Sequence, residues 1–254
     1  MRLNLVEAGT GAPVALLHGL FGSVGNWGSV QKALAARWRV LALDLPNHGA
    51  SPHRFGVDYP GMAADVAETL EAAGALPAAV IGHSMGGKAA MVLALTRPQA
   101  VTRLVVADIA PVPYPPQRRP FLDAMRALRL HPGLTRREAD AALAEGVPEA
   151  GIRAFLLQNL RFGPEGPAWR LGLDEIAATM PAIEDFPDLP GRYGGPTLVL
   201  AGEHSDYIRP EHYALFRARF PAARFATIPG AGHWVHAENP RGFLGEIEAF
   251  LAAP

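Results

Sequence analysis

Short, nearly continuous apolar runs recur along the chain, and each breaks at Gly, Asp or His: PVALLHG (13–19), RVLALD (39–44), AAVIG (78–82), RLVVAD (103–108), TLVLAG (197–202) and RFATIPG (224–230). Runs this short with no alternation predict strands buried on both faces. Between them, apolar positions at helical spacing predict helices over 27–37, 60–74, 85–96, 211–219 and 240–252. A weaker signal places a short leading strand near 2–7. Strands alternating with helices predict an α/β fold: a mostly parallel sheet flanked by helices on both faces.

The rhythm stops between 111 and 190. A proline-dense exit, PVPYPPQRRP, is followed by helical patterns at 119–130, 135–145, 149–160 and 171–179, with no buried strand among them. Two strand signals then remain, too few for a second α/β core. The reading is therefore one core, 1–110 and 191–254, with a helical cap or lid at 111–190 inserted between two core strands.

Composition narrows the partners. With 254 residues, 49% of them apolar, the chain can bury one large α/β core. A net charge of −1 argues against broad electrostatic binding to nucleic acid or to an anionic membrane. The pairs Arg118-Arg119 and Arg136-Arg137 read as solvated surface. There is no cysteine, which excludes disulfides, thiolate metal sites and a cysteine nucleophile. The start, MRLNLVEAGTGAP, carries charges and glycines where a signal peptide needs an apolar stretch, and no run approaches the roughly 18 apolar residues of a spanning helix. The expectation is a cytoplasmic protein.

Two chemistries compete for Gly82–Ala90, GHSMGGKAA. As a phosphate-cradling loop it would need a hydroxyl after Lys88 to hold Mg²⁺, and that position is Ala89. As the elbow Gly-x-Ser-x-Gly it needs a strand before it and a helix after it, and both are predicted. Ser84 is then a nucleophile, with Lys88 a surface or packing lysine. A serine hydroxyl needs a base. Of nine histidines, His53, His131 and His212 read as exposed, and His83 as a pocket neighbour pointing away from Ser84. His233, in the Gly-rich loop IPGAGHWVHAENP after the last strand, is the candidate base, with His236 its local competitor. His-x-x-His lacks a carboxylate to complete a metal pattern. The turn after His18-Gly19 offers one amide to an oxyanion hole, from Leu20 or, offset by one, Phe21; Met85 offers the other. Two acids compete. Asp108 ends a buried strand, where a charge needs a partner; Asp206 lies after TLVLAG, beside Ser205 and Glu203.

The segments HGLFGSVGNW, DLPNHGASPH, GHSMGGKAAM, VVADIAPVPY and GAGHWVHAENP resemble the α/β-hydrolase superfamily, and more narrowly the YbfF-type bacterial esterases and their mitochondrial abhydrolase-domain relatives. The resemblance covers 1–112 and 195–254. It implies a serine carboxylesterase for short-chain acyl esters, with thioesters accepted by some relatives, and no cofactor; the residues themselves point to no metal. It also implies Ser84, His233 and Asp108 as the triad, with Ser205 bonding the same acid or His233. A C–C bond hydrolase, or a small-ligand receptor on the same fold, remains the alternative. Phe21 and Trp234, beside the catalytic loops, are the expected pocket walls. The cap offers Phe121, Met125, Leu128, Phe155, Leu156 and Phe162, for most of which packing is the expectation.

Overall fold

The computed structural model describes residues 1–253. Seven strands form one sheet in the order β1-β3-β2-β4-β5-β8-β9: β1 (Leu5–Ala8), β2 (Pro13–Leu17), β3 (Arg39–Leu43), β4 (Ala78–His83), β5 (Val101–Ala107), β8 (Thr197–Gly202) and β9 (Ala223–Ile228). Only β1 runs antiparallel, against β3; every other pairing is parallel.

The unbroken apolar runs follow from coverage of both sheet faces. Along β2, Ala15 and Leu17 join one apolar cluster while Val14 and Leu16 join the other. The first face is covered by α2 (Tyr59–Ala72) and α3 (Met85–Thr96), the second by α1 (Gly28–Leu34) and α10 (Pro240–Ala252). Each fully buried Leu or Val contributes about 1.5–3 kcal/mol relative to exposure.

Between β5 and β8 the chain leaves the sheet. It forms α4 (Arg119–Ala127), α5 (Arg136–Leu143), α6 (Ala150–Leu157), a hairpin of β6 (Leu160–Gly163) and β7 (Gly166–Trp169), and α7 (Leu173–Glu184). The hairpin corrects the reading of 149–160 as helix throughout. Only Leu160 of its eight strand residues is buried, so no apolar run announces it, and Gly166 takes a positive φ of 99° at its turn. The last helix runs five residues beyond the expected 179, through Pro181. In the core, the helix expected over 27–37 starts as a 3₁₀ turn, Val24–Trp27, and ends at Leu34.

Among the bonds that tie this insertion to the core, Tyr59 Oη donates to Ile183 O (2.7 Å), Asn159 Nδ2 to Phe21 O (2.8 Å) and Lys88 Nζ to Asp185 O (2.7 Å). The chain closes with α8 (His212–Arg219), then α9 (Val235–Glu238) and α10 after β9. The carboxyl ends of β2, β4, β5, β8 and β9 thus deliver their loops to one edge, where ligands bind in open α/β sheets.

Candidate active site

Ser84 sits at the corner between β4 and α3 with φ 52° and ψ −119°, a conformation L-residues adopt only where surrounding packing enforces it. The enforcement is visible at its flanks. A Cβ on Gly82 would stand 2.2 Å from Gly86 O, and one on Gly86 2.3 Å from Leu17 O. Only glycine lets the helix start pack this closely on β2 and β4. Ser84 N–H donates to Ala107 O at 3.0 Å, fixing the corner to β5. Lys88 is not on the surface: it is 1% exposed, with its ammonium under α7.

The structure brings three of the candidate side chains into one line. His233 Nε2 lies 3.1 Å from Ser84 Oγ, and His233 Nδ1 lies 2.8 Å from Asp108 Oδ2. Asp108 leaves β5 with a positive φ of 51°, and its backbone N–H donates to Leu200 O (2.8 Å). Its carboxylate is fully buried and accepts from Gly202 N (3.0 Å) and from the Ser205 hydroxyl. Asp206, the competing acid, is exposed; only its backbone carbonyl is engaged, by Arg209. Glu203 instead accepts from Gly230 N.

The imidazole of His233 is held on every side. The Tyr207 ring stacks on it at 3.9 Å and 20°. His83 Nε2–H donates to its backbone carbonyl at 2.7 Å, so His83 points away from Ser84, as the motif implies, and steadies the loop. Burial keeps His83 neutral. His236 packs between Trp27 (4.7 Å) and His83 (4.8 Å) and makes no bond to Ser84. Burial, reinforced by Arg118 and His236, lowers the His233 pKa to about 3. Burial also raises Asp108 to about 6 against the opposing Ser205 and Gly202 hydrogen bonds. Near neutral pH the pair is therefore a carboxylate beside a neutral imidazole, the state able to accept a proton.

Leu20 and Met85 line the same cleft as Ser84, and their backbone amides have no protein partner among the described residues. The alternative donor, Phe21 N–H, is taken by His48 Nε2 at 3.1 Å. Phe21 itself has φ 61°. Behind it, His48 Nδ1–H donates to Pro46 O and His18 Nδ1–H to Gly19 O, while His18 Nε2 accepts from Leu45 N. Both rings are buried and held neutral by that burial, His48 at about 3. Asp44 organises the same loop by accepting from Val24 N, Ala50 N and Asn4 Nδ2.

Phe21 and Trp234 both line the cleft, joined from the insertion by Phe121, Phe155 and Leu156. Met125 is buried in packing. Leu128 packs partly buried on the core, and Phe162 is 44% exposed beside Arg136. Arg118 departs from the expectation of solvated surface: it is half-buried in the cleft wall, its guanidinium 5.5 Å over the Trp234 ring and donating to Tyr207 Oη. His212 is half-buried rather than exposed. Sequence reasoning missed His48, Tyr207, Asn159 and the anchoring role of His83. The signal available for the first was PNHG after a strand; Tyr207 and Asn159 carry none, since their partners are remote in the chain.

Among the described residues no group of three His, Cys, Asp or Glu is placed to hold a metal ion, and no helix is long and apolar enough to cross a membrane.

A family model described as alpha/beta hydrolase fold matches residues 12–240. The chain is 43% identical to the sn-1-specific diacylglycerol lipase ABHD11 of Mus musculus, over 99% of this chain and 85% of that protein. It is 36% identical to the esterase YbfF of Escherichia coli (strain K12), over 94% and 93%. A solved structure titled marine microorganism esterase superposes with a TM-score of 0.95 at 34% identity, covering 98% of this chain and 99% of that one. With its parallel sheet, its strained serine corner and these relatives, the chain belongs to the α/β-hydrolase fold family and is of the esterase and lipase type.

Proposed function

We propose that the protein is a serine carboxylesterase that hydrolyses short-chain acyl esters through an acyl-enzyme. The observation that carries the reading is His233 bridging Ser84 Oγ and the Asp108 carboxylate at 3.1 and 2.8 Å. Ser84 Oγ attacks the ester carbonyl as His233 Nε2 takes its proton. The Leu20 and Met85 amides receive the developing oxyanion. Asp108 holds the proton on Nδ1 and stabilises the imidazolium, and the Ser205 hydroxyl and Gly202 N–H keep that carboxylate ionised. The imidazolium then protonates the leaving alkoxide. Water repeats the sequence on the acyl-enzyme and releases the acid. Besides substrate and water, both half-reactions are served by these same side chains and amides.

Phe21, Trp234 and the cap residues Phe121, Phe155 and Leu156 form the walls that choose the ester. The test is steady-state and pre-steady-state hydrolysis of a chromogenic short-chain ester. A burst of alcohol release matching the active-site concentration, or turnover with trapping of the acyl group on Ser84, supports the reading. Binding without turnover would mean that the fold here serves a receptor; cleavage of a C–C bond but not of esters would assign the machinery to that reaction instead.

A further inference from the structure

Lys88 places a buried amine in the wall of the substrate cleft with no direct ion pair among the described residues. It lies on α3 one turn after Ser84, is 1% exposed and contributes to the cleft lining. Two of its three N–H donors reach carbonyls at the end of α7: Glu184 O at 3.2 Å and Asp185 O at 2.7 Å. Its other neighbours are ring faces, Tyr114 at 4.9 Å and Tyr59 at 5.6 Å. The hydroxyls of both rings are spent elsewhere, on Tyr207 O and Ile183 O. The two nearest acids are also occupied. Glu184 is paired with Arg119, and Asp185 Oδ1 accepts from Phe186 N. Among the described residues no carboxylate bonds to the ammonium, and its third N–H has no protein partner.

A buried charge is ordinarily paired, because desolvation is costly without an opposite charge. Carbonyls and ring faces offset part of that cost, and burial holds the amine down to about 7 despite the attraction of Asp185 and Glu184. An anion arriving with the substrate would complete the pairing. The position of Lys88 selects which part of an ester carries it. The buried part of the lining that holds Lys88 also includes Tyr59, whose ring face lies 5.6 Å from the ammonium, and Ile109, Met180 and Ile183. Elsewhere the lining is more open to solvent: Gln117 is exposed, and Arg118 and Trp234 are half-buried. In a two-step hydrolysis the alcohol leaves while the acyl group stays attached, so the buried part of the lining fits the acyl group and the solvent-exposed part the leaving group.

Building on the esterase reading, we propose that Lys88 is a specificity residue that selects acyl groups ending in a second carboxylate, making the preferred substrates monoesters of short dicarboxylic acids. The ester carbonyl sits at Ser84, the distal carboxylate accepts the free N–H of Lys88, and the intervening methylenes lie along Ile109, Met180 and Ile183.

The experiment compares kcat/KM for the monoethyl esters of glutaric, adipic and pimelic acids with ethyl pentanoate, hexanoate and heptanoate, by titrating the acid released. A third arm places the carboxylate on the alcohol side, as the butyryl ester of glycolate. At least one monoester should exceed its neutral partner by tenfold or more, and Lys88→Met should cut that ratio at least tenfold, with Lys88→Arg retaining part of it. A ratio that Lys88→Met leaves unchanged would overturn the proposal, as would a preference for the neutral series or for the alcohol-side carboxylate. A Lys88→Met protein that does not fold shifts the decision to product inhibition of the unaltered enzyme. There adipate must inhibit at least tenfold more strongly than hexanoate, and equal inhibition would refute the idea. Labelling of Ser84 by a fluorophosphonate separates the two levels. Labelling without carboxylate selectivity removes only the role of Lys88, whereas absence of labelling and of ester turnover removes the esterase reading beneath it.

Discussion

Replacing Asp108 by Asn asks whether this carboxylate sets the proton on His233. The amide has one acceptor and one donor end where the carboxylate has two acceptors. On one side it meets Gly202 N–H at 3.0 Å, a fixed backbone donor, so the amide oxygen must face there or leave two donors opposed, at a cost of about 1–3 kcal/mol. The NH₂ then occupies the Oδ2 position, facing Ser205 Oγ, which can turn to accept, and His233 Nδ1 at 2.8 Å. His233 can tolerate that donor only with Nδ1 unprotonated and its proton on Nε2. In that tautomer Nε2 cannot accept from Ser84 Oγ, and the stabilisation of an imidazolium is lost as well. The expected loss in kcat is about 10⁴, or about 5.4 kcal/mol at 1.36 kcal/mol per tenfold. The assay is turnover of a short-chain chromogenic ester, with melting curves showing that the variant folds. Asp206→Asn, at an exposed side chain, is the control and should stay within about tenfold of the parent. A collapse at Asp206 with Asp108→Asn nearly active would refute the assignment.

His233→Ala should fall nearly as far as Ser84→Ala, and the double variant little further, because the two act as one unit; His236→Ala, measured alongside, should lose less than about tenfold in kcat. The pH profile of kcat/KM should rise with pH as the Asp108–His233 pair gives up its proton and reach a plateau above about 6, the value to which burial raises Asp108; a rise centred well above 7 would contradict the buried neutral imidazole. Ser205→Ala removes a hydrogen bond that holds Asp108 down, so the acid limb should move to higher pH, with kcat reduced on the order of tenfold. Phe155→Ala, in the cleft wall, should alter the ratio of rates along an acyl-length series more than it alters labelling by a small phosphonate.

What could be read from the residues alone follows from range in sequence. The core strands were legible because burial on both sheet faces writes an unbroken apolar run, as in β4, where all six residues are buried. The serine corner was legible because its two glycines are dictated by contacts within the segment and with the adjacent strand. The β6–β7 hairpin was not, since only one of its eight strand residues is buried and no periodic signal results. The choice between surface and packing for Lys88 stayed open for a related reason. Its partners are carbonyls 96 and 97 residues away, and a lysine in a helix gives no local sign of burial. The competition between Asp108 and Asp206 needed coordinates: both precede His233 and follow Ser84, and only the fold decides which one the imidazole meets.

The central claim is that Ser84 is a nucleophile activated by His233. It is tested most directly by treating the protein with a fluorophosphonate probe and reading intact mass and the modified peptide. The account predicts a single adduct on Ser84, labelling abolished in Ser84→Ala and slowed by orders of magnitude in His233→Ala. Full-strength labelling that survives Ser84→Ala, or a folded protein that takes no label at any pH above about 6, would contradict it.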